Sequence, residues 1–489
     1  MTDAQSSYRQ IIKSTSIFGS VQVFSIVISL VRSKIIAILI GPAGIGLIGL
    51  FNSAINLIGS FTNAGIETSG VKAISAAENN PESLAKEVSI LKRLIWITGI
   101  LGAISVAVLS PFLSRLTFGN DQYTLAFVLI ASTLLFKQLT NGSLVVLQGL
   151  SKIQYLAKAN LLGNLLGLLV SLPLYYWFKI NGIVPSIVIS SLIAMMVAFY
   201  FRAKIKIENV KLTNKEVFVE GKQLIILGFS LSLIGLLTTL SSYLLQVFIS
   251  HYKSVSEVGF YSAGFTILNT YVGVIFTAMA TDYYPRLAKV CHDNLKVKKL
   301  VTEQSIIAVL LLTPIVVVFL VFAPTVIRLL YSKEFLPIVP LVCWGILGMI
   351  VKAVSWSMGY VLIAKGDSGI FIKTSVFFNS LFLIINILGF YFYGLEGLGI
   401  TFLVNYIIHF FGLKLITAKR YDFEFDKEFY RLFSYCTFIC LGTFLSLNIE
   451  SIILKYILLS VLILISLGFS FVQLNKRLNF KDLFSGKKE

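Results

Sequence analysis

The sequence predicts an all-α, polytopic membrane protein of about fourteen transmembrane helices, built as two pseudo-symmetric six-helix bundles plus two C-terminal helices. Three observations carry that prediction. Of 489 residues, 56% are hydrophobic and only 13% charged, with a mean hydropathy of +0.86, whereas soluble domains carry about 25% charged residues. Apolar blocks recur from end to end, each close to the ~20 residues that a 30 Å hydrocarbon core requires at 1.5 Å rise. Polar positions in the first half recur in the second at an offset of 213 residues.

The apolar blocks run, in order, over residues 16–38, 44–66, 94–117, 122–148, 157–178, 182–201, 223–250, 256–281, 303–330, 336–363, 371–393, 396–416, 432–448 and 451–473. The opening "MTDAQSSYRQIIKS" has neither a short apolar core of its own nor a small-residue cleavage site. The first block is therefore expected to be a retained span, not a removed signal peptide. The connecting segments alternate in basic content. The N-terminus, every second loop and the C-terminus hold 31 of the 41 Lys and Arg; the other loops hold 8, and Lys137 and Lys352 lie inside spans. That asymmetry predicts that both termini are cytoplasmic, and an even number of spans agrees.

The net charge of +18 is then read as cytoplasmic loops beside an anionic leaflet, not as a nucleic-acid surface. No outward loop is long enough to fold as a domain, so no separate soluble catalytic site is expected and the chain is read as a non-enzyme. Cys291, Cys343, Cys436 and Cys440 show no disulfide or metal spacing, and Cys436 and Cys440, one turn apart, are expected to pack. "GIGLIG" (44–49) fits G-x-G-x-x-G letter for letter. A dinucleotide site needs a preceding strand and a soluble βαβ unit, whereas this motif opens a span after Pro42. Its glycines are expected to serve a tight turn and close helix approach. No Walker A, His/Cys metal cluster or nucleophile elbow occurs, so neither a cofactor nor a metal is expected, and ATP-driven transport by this chain alone is disfavoured.

The repeat organises the chain. A shift of 213 lays "GLIGLFNSAINLIGSF" (46–61) onto "GFYSAGFTILNTYVGV" (259–274), which places Asn56 on Asn269. The same shift lays Ser29 on Ser242 and Ser25 on Thr238. Six spans separate the copies, so the halves share an orientation, a known transporter plan. The expected units are a six-helix bundle over 1–208, a second over 209–416, and two further spans with a cytoplasmic tail over 417–489.

Four spans carry polar stripes at three- and four-residue spacing, which puts each stripe on one helix face. Span two has Asn52, Asn56, Ser60, Asn63 and Glu67; span eight has Ser262, Thr266, Asn269, Gly273 and Thr277. Span seven has Ser232, Gly235, Thr239, Ser242 and Gln246; span one has Gln22, Ser25, Ser29 and Arg32. Small and hydroxyl residues along a face can serve close helix packing. Stripes rich in Asn, in symmetry-related spans and ending in charge, also fit a hydrated cavity between the bundles. The cavity reading makes Asn52, Asn56, Asn63, Asn269, Ser29, Ser242 and Gln246 lining residues.

Lys137, in "ASTLLFKQLTNGS" (131–143), sits near the middle of span four, and Lys352, in "GMIVKAVSW", near the middle of span ten. They are 215 residues apart, within two of the repeat offset. A charge at the bilayer centre costs about 2.5–3.5 kcal/mol on insertion scales. The spans hold almost no Asp or Glu to offset it, and snorkelling suits lysines nearer helix ends. Two readings remain: a lysine satisfied by carbonyls or local water, or a cationic lumen for an anionic substrate, to which Arg32 adds. His409 in span twelve is a candidate proton site, although a lone histidine is more often packed and hydrogen-bonded.

"GPAGIGLIGLFNSAINLIGSFTNAGI" (41–66), followed by "VKAISAAENNPESLAKEV" (71–88), resembles the start of a Wzx-type oligosaccharide (O-antigen) flippase of the MOP superfamily, which also holds MATE exporters and lipid II flippases. "TDYYPRLAKV" (281–290) resembles the cytoplasmic end of span eight in that family. The resemblance implies two MATE-like bundles around a cleft that opens alternately to either side. It implies transfer of undecaprenyl-diphosphate-linked oligosaccharide units across the bacterial inner membrane, for lipopolysaccharide or another surface polysaccharide. Polysaccharide polymerase and chain-length regulator proteins would be the partners. By this analogy Lys137, Lys352 and Arg32 would bind the anionic head group, and the Asn-rich faces would hydrogen-bond sugars.

Rival readings stay open. A MATE-type cation or drug antiporter would be expected to keep acidic residues deep in a bundle, where this chain has lysines. A lipid II flippase shares a polyprenyl diphosphate substrate and is barely separated by sequence. A membrane polymerase or ligase would need a sizeable periplasmic loop, and a non-transporting scaffold would leave the paired lysines unexplained.

Overall fold

A computed structural model describes the backbone of residues 3–63, 65–208, 210 and 212–478. Side chains are described from Phe24 onward, apart from a few positions between 214 and 231 and at 281 and 478. Gln22 of the span-one stripe therefore lies outside the described side chains.

The chain is helical almost throughout. In order the helices are α1 (Asp3–Asn63), α2 (Ile66–Ala77), α3 (Pro81–Phe118), α4 (Thr124–Gly149), α5 (Ile153–Phe178), α6 (Ile183–Ala203) and α7 (Asn214–Tyr252). There follow α8 (Val255–Thr266), α9 (Val274–Lys289), α10 (Asn294–Leu330), α11 (Val339–Ala364), α12 (Ser368–Tyr421), α13 (Lys427–Ser446) and α14 (Ile452–Leu478). Local sequence marks the helix starts. Asn80 caps α3 by accepting from the backbone of Glu82 and Ser83, with Pro81 in the first turn. Thr213 and Glu216 form a reciprocal capping box at α7.

Eleven helical segments among the described residues are long and apolar enough to cross a membrane. Three of them break midway and supply two crossings each, which accounts for the fourteen spans expected. In α1 the break is Gly41, at φ 64° and ψ −168°, followed by Pro42. That backbone region is essentially closed to residues with a Cβ. In α12 the break is Gly394, at φ 59°; there Thr401 Oγ1 donates to Asn386 Oδ1 at 3.0 Å across the reversal. Ile153–Ala203 would be roughly 75 Å long if straight, and it reverses at a short 3₁₀ turn, Lys179–Gly182, so that α6 packs back on α5. Ser190 Oγ then donates to Gly167 O at 3.2 Å.

Two compact units result. The first comprises Met1–Gly259 with Leu330–Ser332, the second Phe260–Leu329 with Lys333–Glu489. α7, which the repeat assigns to the second half, packs in the first unit against α1, α2 and α3. Thr117 and Tyr243 share a buried 2.7 Å hydrogen bond there, and Phe51 stacks edge-on to Phe127 in the apolar core. In the second unit α13 lies against α11, with Trp344 and Phe444 ring centroids 4.5 Å apart, and α14 packs on α13.

Most hydroxyls within the spans bond to their own helix. Ser60, Thr140, Thr239 and Thr266 each donate to the carbonyl four residues earlier, at 2.7–2.8 Å. A hydroxyl so satisfied needs no outside partner in hydrocarbon. Ser60, Thr239 and Thr266 of the stripes are accounted for in this way, whereas Asn56 and Asn269 turn to other helices.

Candidate functional site

In the first unit, α4 turns Leu134, Lys137, Gln138 and Asn141 to one side, because residues three and four apart stack on a helix. The second half of α1 presents Asn56, Gly59, Ser60 and Asn63 at the same spacing. Together with Glu67 of α2 and Thr239 of α7, they line a cavity of about 320 Å³. Lys137 Nζ donates to Asn56 Oδ1 at 3.3 Å. Gln138 is buried and donates to Thr98 Oγ1 of α3 at 3.2 Å, which orients that stretch of α4. Glu67 accepts from Asn63 Nδ2 at 2.7 Å and from Asn141 Nδ2. Burial raises the Glu67 carboxyl above its ordinary value, while those two amide donors pull the other way.

In the second unit, Lys352 of α11 donates to Asn269 Oδ1 at 2.9 Å. Asn269 lies in a π-helical turn, Ile267–Val272, between α8 and α9; such bulges are frequent at functional sites. The ammonium is also 5.7 Å from the ring centroids of Phe276 and Phe402, and 5.2 Å from that of Tyr406. Each such contact contributes about 0.5–2 kcal/mol depending on desolvation.

Each unit thus holds one lysine on one asparagine, and the repeat aligns the asparagines and nearly aligns the lysines. No carboxylate lies within 4 Å of either amine among the described residues. An ammonium has three N–H donors and an asparagine supplies one amide oxygen. Both cations therefore keep donor capacity and net charge that the protein does not neutralise. Chemically the arrangement suits an anion or a polyhydroxyl ligand.

The other sequence-predicted residues are placed differently. Gln246 is buried in the α1–α7 packing, where it accepts from Ser53 Oγ at 3.0 Å and donates to Ser242 Oγ at 3.4 Å. Asn52, Ser29 and Arg32 are half-buried on α1 and do not line the cavity. His409 packs edge-on to Phe378, 4.4 Å between centroids, and its Nδ1 has no hydrogen-bond partner. Sequence reasoning missed Gln138, Asn141 and the Phe276–Phe402–Tyr406 box. The first two were available as the i+1 and i+4 neighbours of Lys137; aromatics in an apolar span carry no signal that separates them from core.

Comparison with known proteins agrees with this fold. The lipid III flippase of Escherichia coli (strain K12) is 23% identical over 410 residues, covering 80% of this chain and 95% of that protein. The lipid II flippase MurJ, in an inward closed conformation, superposes with a TM-score of 0.70 at 15% identity, covering 94% of this chain and 99% of its own. An inward-facing multidrug resistance MATE transporter of the MOP superfamily superposes with a TM-score of 0.67 at 14% identity, over 82% and 94% of the two chains. The family described as "Polysaccharide biosynthesis protein" matches residues 35–340, more than half of the sequence. The chain is a member of that polysaccharide biosynthesis family and carries the fold of the MOP superfamily.

Proposed function

We propose that this protein is a flippase that moves undecaprenyl-diphosphate-linked oligosaccharide units across the bacterial inner membrane, by alternating access through a cationic cavity. The observation that carries the reading is the pair of lysines, Lys137 and Lys352, each held in an apolar span by a neutral asparagine and not by a carboxylate. A diphosphate passing these amines would supply the missing negative charge, while the polyprenyl tail stays in lipid. Asn56, Asn63 and Asn269 would then hydrogen-bond sugar hydroxyls, and Arg32 would add cationic charge nearby. Membership in a polysaccharide biosynthesis family supports this substrate class.

The repeat supports two bundles over 1–208 and 209–416 with an appended pair of spans over 417–489, and the Lys and Arg asymmetry supports cytoplasmic termini. A polymerase and a chain-length regulator would act on the delivered product. The similarity to the lipid III flippase of E. coli favours a second, narrower reading, in which the cargo is a lipid III and not an O-antigen unit.

Deleting the gene tests the proposal. Lipid-linked oligosaccharide should accumulate on the inner leaflet and surface polysaccharide should fall. The identity of the accumulated lipid separates the O-antigen reading from the lipid III reading. Unchanged polysaccharide without accumulation sinks both.

A further inference from the structure

The other side of α4 closes a second cavity, of about 330 Å³, against α3 and α6 in the first unit. Leu139, Gly142, Ser143 and Val146 line it; at 100° per residue they point roughly 140° away from the set around Lys137. Its wall is apolar. Gly142 lets Ile95 of α3 lie close against α4, since a Cβ there would be 2.2 Å from Ile95 Cδ1. Its mouth is basic: Lys92 of α3 and Arg202 of α6 flank it, beside Trp96 and Phe199, and no acidic residue lines it. Arg202 is half-buried, yet its guanidinium makes no ion pair or hydrogen bond among the described residues. Trp96 is 41% exposed, as an interfacial ring would be.

These features select the occupant. A small soluble anion would satisfy the cations and leave the apolar wall unused. An apolar peptide would leave the guanidinium uncompensated in a half-buried position, which is costly. A molecule with a phosphate head and a hydrocarbon chain satisfies both, and Arg suits phosphate through its forked donors. The basic mouth also lies on the side that the Lys and Arg asymmetry turns toward the cytoplasm, where the leaflet is anionic. We propose that this slot binds one anionic phospholipid of that leaflet, its phosphate on Lys92 and Arg202 and an acyl chain along Ile95, Leu139 and Val146. The site does not depend on the flippase reading, because it lies on the other side of α4 from Lys137. Occupancy would brace α4, the helix that carries that lysine, against α3 and α6.

The test uses the full chain in phosphatidylcholine vesicles that contain a minor fraction of phosphatidylglycerol with brominated acyl chains. Trp96 emission is taken as the difference between the wild type and Trp96→Phe. Brominated phosphatidylglycerol should quench Trp96 more than brominated phosphatidylcholine at equal mole fraction, with a local enrichment on the order of tenfold for two basic residues. Lys92→Gln with Arg202→Gln should abolish the difference, and Lys92→Arg should keep it. Unchanged far-UV helicity shows that the double variant folds; if it does not fold, Lys92→Gln alone, at an exposed position, should still reduce the enrichment. Equal quenching by the two lipids overturns the proposal, as does enrichment that survives in the Gln variants. Displacement by inorganic pyrophosphate alone would make it an ion site, and displacement by undecaprenyl diphosphate but not by unbrominated phosphatidylglycerol would give it to the transported lipid. Either result overturns the phospholipid assignment.

Discussion

Gly46 stands backbone to backbone against Gly259, the residue onto which the 213-residue repeat lays it. A Cβ on Gly46 would lie 1.9 Å from Val255 O and 3.0 Å from Gly259 N. A Cβ on Gly259 would lie 2.0 Å from Pro42 O and 3.1 Å from Gly46 N. The obstructing atoms are main chain and cannot rotate away. Gly46 belongs to "GIGLIG", so this glycine of the false dinucleotide motif serves the close helix approach the sequence predicts. Gly46→Ala or Gly259→Ala should destabilise by roughly 1–3 kcal/mol through overpacking, even though alanine is the better helix former. Gly442→Ala, whose nearest neighbour would be 4.0 Å away, should be neutral or stabilising. Thermal unfolding of the purified variants decides; equal unfolding temperatures for Gly46→Ala and Gly442→Ala would refute the packing argument.

The two lysines should cost stability and supply function. Lys137→Met and Lys352→Met each remove a charge from an apolar span, so unfolding temperature should hold or rise. Transport should fall about 10–100-fold, as expected for losing a charge-assisted contact of ~1.5–3 kcal/mol to the cargo. Full transport by the double variant would reduce both to structural residues.

The aromatic box makes the second lysine different from the first. Tyr406→Leu should weaken the hold on the Lys352 ammonium, while Tyr406→Phe should keep it, because the ring face and not the hydroxyl makes the contact. The expected pattern is a loss of stability of about 0.5–2 kcal/mol for Leu only, read as a lower unfolding temperature. In the background of Lys352→Met that difference should shrink, and a double-mutant cycle measures by how much. A coupling of zero would show that the ring packs without holding the cation.

Glu67 predicts a pH dependence. Burial raises its carboxyl above the ordinary value of 4.5 in the folded state, so the folded protein holds this proton more tightly than the unfolded chain. The resulting penalty is absent below the unfolded value and grows as pH rises through the higher folded one. Glu67→Gln keeps an acceptor for Asn63 and Asn141 and removes the titration. The variant should match the wild type at acidic pH and exceed it in unfolding temperature at neutral pH. A constant gap across pH would show that Glu67 does not titrate in this range.

Much of the fold was legible because a bilayer imposes strict rules. Hydrocarbon thickness sets span length, and the cost of unsatisfied backbone groups restricts the chain to helices. The pairing of Lys137 with Asn56 was half legible: the repeat aligned both asparagines and nearly aligned both lysines, but nothing in the sequence joined one pair to the other. Gln246 shows the opposite case. It lies on a polar stripe like the rest, and neighbouring hydroxyls at the α1–α7 contact absorb it, because stripe position records a helix face and not what that face meets. The Lys352 box was not legible, since Phe276, Phe402 and Tyr406 come from spans eight and twelve and look like any apolar filling.

By itself the sequence determined the membrane class, the helical spans with boundaries between 38 and 44 and between 393 and 396, the repeat and the two intramembrane charges. These follow from local composition and from spacing along one chain. Tertiary structure decided what each charge touches: an asparagine in a polar cavity for Lys137, an asparagine and three rings for Lys352. Depth in a bilayer is a property of one helix, whereas the partners of an ammonium come from helices far apart in sequence.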